Sequence, residues 1–125
     1  MRDHLTPAGV LIINVGHIPG SDGLEQVVSA TAHAVFPDVV RDPFSQTNSL
    51  VLAGRRPLSG AAIGGRIGDL PADLQPLAGA VAGRIEPALT GGSVYTDDRA
   101  PVEWLTDLSI LRYAVGAPKA GYPGP

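Results

Sequence analysis

The densest group of side chains able to do chemistry is Asp97 and Asp98, with Arg99 beside them and Glu103 close by. Clustered carboxylates suit a cationic substrate such as an amine, which they hold through charge-assisted hydrogen bonds. The same aspartates also read as the cap of a helix, where a short acidic side chain accepts from orphan N–H groups and complements the helix dipole. A second candidate pair is Asn14 and His17, which follow the apolar run Val10-Leu11-Ile12-Ile13. If that run is a parallel strand, its carboxyl end opens onto the crevice where open α/β sheets bind ligands, and both residues line it. Stabilisation of the loop is the alternative role for this pair.

Other chemistries find little purchase. His4, His17 and His33 are far apart and form no H-E-x-x-H pair, so a metal site would need ligands gathered from separate elements. There is no G-x-S-x-G elbow and no Ser/His/Asp set, which leaves acyl transfer without support. Gly60 and Gly65 have the spacing of a phosphate-binding P-loop, but Arg66 and Ile67 stand where Lys and Ser or Thr are required. The stretch from about 57 to 69 therefore reads as a glycine-rich linker.

These residues sit in a chain of 125 residues, 44% hydrophobic and 17% charged, which fits one globular domain rather than a disordered segment. Aromatics are only 5%, against 16 Gly and 12 Pro, so many turns and an aliphatic core are expected. A formal net charge of -3 gives no field that would attract a phosphate backbone, so nucleic acid is not the expected partner. With no cysteine there is no disulfide framework, which fits a reducing, cytoplasmic setting. No apolar run approaches the roughly 20 residues that span a bilayer, and Met1 to Pro7 lacks a signal-peptide core.

The elements that must position the candidates follow from pattern. Val10 to Ile13 has the continuous apolar character of a strand covered on both faces, which belongs in the middle of a sheet and needs neighbours on each side. After the loop Gly16 to Gly20, Ser21 or Asp22 caps a helix, with Glu25 spaced from Asp22 as in a capping box. Leu24, Val27, Val28, Thr31 and Val35 form that helix's apolar face, with His33 on its side, and Pro37 stops it. Val39-Val40 and Ser49 to Ala53 read as two strands with a short link, hence an antiparallel pair. A second helix is expected from Asp73 to Glu86, with Leu74, Leu77, Val81 and Ile85 on its apolar side and Pro76 in its first turn. Thr90 to Ser93 reads as a turn, and Asp97 or Asp98 caps a third helix carrying Val102, Leu105, Leu108 and Leu111. Residues 114–125 hold three prolines and three glycines without apolar period and are expected to be disordered.

Taken together, LTPAGVLIINVG, HAVFPDVVRD, NSLVLAGRR and above all VYTDDRAPVEWLTDLSI resemble the C-terminal half of spermidine synthase-like proteins, in the bacterial branch often fused to a transporter-like region. The resemblance covers about Leu5 to Tyr113. It implies an α/β fold: the C-terminal part of a class I methyltransferase-like (Rossmann-like) doubly wound sheet with a reversed edge strand. It also implies aminopropyl transfer from decarboxylated S-adenosylmethionine to a polyamine such as putrescine, with an acidic residue freeing the attacking amine. The family's glycine-rich cofactor loop, ribose-binding acid and catalytic acidic segment belong to the N-terminal half, so this sequence inherits no catalytic and no cofactor-binding residue. What carries over is the match TDDRAPVE, with Asp97, Asp98 and Glu103 on the substrate side. The expected partner is a missing N-terminal half, or another copy of the chain. A non-catalytic binding or oligomerisation domain, and a methyltransferase fragment, are the alternatives.

Overall fold

A computed structural model describes residues 4–96, 106–108, 110–111 and 114–115. The fold is mixed α/β, built on a four-stranded antiparallel sheet. In chain order the elements are β1 (Val10–Gly16), α1 (Gly23–His33), β2 (Asp38–Asp42), β3 (Asn48–Gly54), α2 (Gly60–Gly64), α3 (Gln75–Arg84) and β4 (Glu86–Pro87). The strand order is β1-β3-β2-β4. β3 pairs antiparallel with both β1 and β2, so β1 and β2 run in the same direction with α1 crossing between them. The short link through Phe44 to Thr47 gives the antiparallel β2–β3 pair that the sequence implies.

Register assigns the two faces of the sheet, because residues directly opposite in an antiparallel pair point to the same side. Leu11, Ile13 and Val15 face Ala53, Val51 and Ser49, with Val39 and Arg41 continuing that face onto β2. Against it α1 lays Ala32, and the core closes around Val15, Ala32, Phe36, Val39, Val51, Ala53 and Ala88. Burying these aliphatic groups contributes roughly 1.5–3 kcal/mol for each Val or Phe side chain removed from water. On the other face, Asp42 meets Arg84 from the end of α3. Beyond Pro87, Gly91 turns with φ of +91°, and Gly92 lies where a β-carbon would strike the Gln26–Val27 backbone of α1.

Several expectations need correction. β1 is not a strand covered on both faces: among the described residues it has β3 as its single neighbour, and Val10 (39%) and Ile12 (57%) remain exposed. An unbroken apolar run cannot distinguish a central strand from an edge strand with one open face, since both satisfy the same hydropathy pattern. The buried face of α1 includes Glu25, Ser29 and Ala32, whereas Val35 is 41% exposed. Asp22 caps α1 without a side-chain hydrogen bond, so the capping box does not form; Glu25 turns inward to Arg41 instead.

The stretch read as a linker contains α2 and a 3₁₀ turn at Ile67–Asp69. Ser59 caps α2 by accepting from the Ala62 N–H at 3.0 Å. Gly60 is there because α2 approaches the Ala82 carbonyl of α3 so closely that a β-carbon would overlap it. The helix expected to reach Glu86 stops at Arg84, and Glu86–Pro87 leaves it to pair with β2. Leu74 and Leu77 stay exposed, since α3 packs on α2 rather than laying them on the sheet. No helix of the described residues is long and apolar enough to cross a membrane.

Candidate functional site

The carboxyl end of β1, the amino end of α1 and the first residues of β3 converge at one end of the sheet. Asn14 and His17 are both there. Asn14 Oδ1 accepts from Asn48 Nδ2 at 2.9 Å, a cross-strand bond that ties the ends of β1 and β3. The His17 N–H donates to the Thr47 carbonyl at 2.8 Å, continuing the β1–β3 ladder one residue past its last pair. On the side chain, His17 Nε2 lies 3.4 Å from the Ser49 hydroxyl, and Nδ1 is buried without a hydrogen-bond partner among the described residues. Ser45 organises the adjoining turn: its hydroxyl accepts from the Thr47 N–H at 3.2 Å.

Two charged pairs that sequence reading overlooks flank this end. Glu25, fully buried in α1, meets Arg41 of β2 at 2.8 Å, and Arg41 reaches Glu86 of β4 at 3.4 Å. The Glu25 approach is an ion-pair contact whose direction misses hydrogen-bond geometry, so both carboxylate oxygens and Arg41 Nε lack a hydrogen bond among the described residues. Ser29, one turn along the buried face of α1, likewise has an unpartnered hydroxyl. On the opposite face Asp42 accepts two hydrogen bonds from Arg84, Nε at 2.7 Å and a terminal nitrogen at 3.0 Å. That bond to Asp42 raises the Arg84 pKa above its already high ordinary value, against the opposing pull of desolvation. The signal for these residues was present as charges embedded in apolar segments: Glu25 beside Leu24 and Val27, and Arg41-Asp42 directly after Val39-Val40.

The Asn14 and Asn48 amides can recognise a polar ligand at this end of the sheet on the face away from α1, whereas the His17–Ser49 pair lies on the other face, toward α1. Among the described residues Ser49 is wholly buried and no carboxylate bonds Nδ1 of His17, so these two side chains do not form an activated nucleophile there. Asp97, Asp98 and Glu103 lie outside the described residues. Among the described residues no three His, Asp or Glu side chains gather as a metal site. Comparison of the chain with protein families, curated proteins and solved structures finds no match.

Proposed function

We propose that the chain is the C-terminal part of a spermidine synthase-like domain and supplies the polyamine side of an aminopropyl transfer. The observation supporting this reading is the connection of β1 to β2. Two strands of the same direction, β1 and β2, are joined by α1, as consecutive strands of a doubly wound sheet are, although the reversed β3 lies between them and not at the edge that the resemblance implies. It leaves Asn14 and His17 at the carboxyl end of β1, the position from which such sheets bind ligands.

Aminopropyl transfer forms a bond from the amine nitrogen to a propyl carbon and breaks that carbon's bond to a sulfonium sulfur. The amine must reach the site uncharged and lose a proton as it attacks. Amide oxygens at Asn14 and Asn48, with carboxylates at Asp97, Asp98 and Glu103, are the groups with which this chain would orient and desolvate an amine. The described residues do not fit decarboxylated S-adenosylmethionine. No strand runs directly into a G-x-G-x-x-G loop, and Gly60 of the glycine-rich stretch serves the packing of α2 on α3. The reading therefore requires a second segment to bring the cosubstrate.

Two titrations of the folded, isotope-labelled chain test the proposal. Putrescine and spermidine should shift the backbone resonances of Asn14 to Ile18 and Asn48 to Ser49, while an uncharged diol of equal length should leave them in place. Calorimetry with decarboxylated S-adenosylmethionine should show no saturable binding. Polyamines that move no resonance at this end would overturn the family reading, and tight binding of the sulfonium compound would overturn the division into two halves. The outer edge of β1, which pairs with no strand among the described residues, favours a second reading, a non-catalytic domain that associates through that edge.

A further inference from the structure

At the opposite end of the sheet from Asn14 and His17, a cleft of about 380 Å³ lies between the start of β1, the end of β3 and α2. Its size falls within the range of small-molecule sites, roughly 300–1,000 Å³. Val10, Leu58, Ile63 and Leu70 make its wall apolar. Arg56 and Arg66 complete the lining, and no Asp or Glu is part of it. Arg56 has no ion-pair partner among the described residues, and Arg66 spends only its Nε, on Asp69 at 3.3 Å. The cleft is thus an aliphatic surface edged by two arginines, one of them shared with Asp69, with the Asp38 carboxylate behind Leu58.

The cleft is held in shape by bonds that do not involve those arginines. The Leu58 N–H donates to the Asp38 carboxylate, Ser59 caps α2, and Gly60 permits the close α2–α3 contact. A pre-formed apolar wall with unspent guanidinium donors matches one ligand chemistry, since a guanidinium binds planar oxyanions through a two-pronged fork while the wall removes hydrocarbon from water.

We infer that this cleft binds a small amphiphile with an anionic head, a carboxylate or a phosphate monoester, on a short apolar body. The glycine-rich segment thereby acquires a role that the polyamine reading does not use, and the inference does not rest on that reading. The test titrates the full labelled chain with hexanoate, hexyl phosphate and hexan-1-ol. At least one of the two anions should saturate and shift Val10, Leu58 and Ile63, and which of them does so identifies the head group. Hexan-1-ol should bind at least about tenfold more weakly, and so should the anion to the variant carrying Arg56→Gln and Arg66→Gln, as expected for loss of charged hydrogen bonds. Both arginines are exposed, so the variant should keep the wild-type circular dichroism spectrum. Failure of both anions to saturate, equal binding of the alcohol, or a variant that binds as the wild type does would each overturn the inference.

Discussion

Glu25 concentrates the residue-scale physics of this protein. A carboxylate taken fully out of water is tolerated only if a cation goes with it, and Arg41 is that cation. The pair pins α1 to β2, and through Glu86 it also holds β4 against the same strand. Replacing Glu25 by Gln leaves Arg41 facing only the half-exposed Glu86, so destabilisation of about 3 kcal/mol is expected in urea unfolding. The double change Glu25→Met with Arg41→Met should cost less than Glu25→Gln alone, because it removes both desolvated charges together. Equal or greater loss in the double variant would mean that the pair is held by packing around it rather than by its charges. The sequence shows Glu25 as a charge among apolar residues at capping-box spacing, but nothing in the periodicity of α1 names Arg41 as its partner.

At the scale of elements, glycine does opposite things in neighbouring helices. Gly60 stands where a β-carbon would overlap the Ala82 carbonyl, while Gly83, one residue further along α3, faces open space. Gly60→Ala should push α2 off α3 and destabilise by about 1–3 kcal/mol, the usual penalty of overpacking. Gly83→Ala should stabilise by up to about 1 kcal/mol, since a helix-interior glycine costs backbone entropy and nothing opposes the added methyl. Thermal unfolding of the two variants decides it: if both moved the transition the same way, the α2–α3 approach would not be what Gly60 serves. Glycine content marked this stretch as irregular, whereas the tertiary contact makes Gly60 a requirement of packing.

For the whole molecule, the decisive feature is the outer edge of β1. The His17 N–H bonds Thr47, so with the alternation of an antiparallel ladder Leu11, Ile13 and Val15 bond inward to β3. The backbone groups of Val10, Ile12 and Asn14 then point outward. The edge carries no charge, proline or bulge, the usual protections against strand pairing. Association that rises with concentration is expected in sedimentation, and Ile12→Lys should reduce it without disturbing the core, since Ile12 is exposed. A wild-type chain that stays monomeric throughout the accessible concentration range would sink this expectation.

Local patterns determined the strand at Val10, the helix after Asp22, the β2–β3 hairpin and the helix that begins at Gln75, because each is written in neighbouring residues: hydropathy period, proline stops and short links. They also picked out Asn14 and His17 as the polar end of a strand, since chain order alone puts them there. Pairing partners were decided only by tertiary structure. Among the described residues β1 took β3 as its single strand neighbour, Glu25 found Arg41, Arg84 found Asp42, and a supposed linker became a helix wedged against Ala82. Each of those outcomes depends on residues far apart in sequence competing to satisfy the same buried charge, backbone group or apolar surface, and that competition has no local signature.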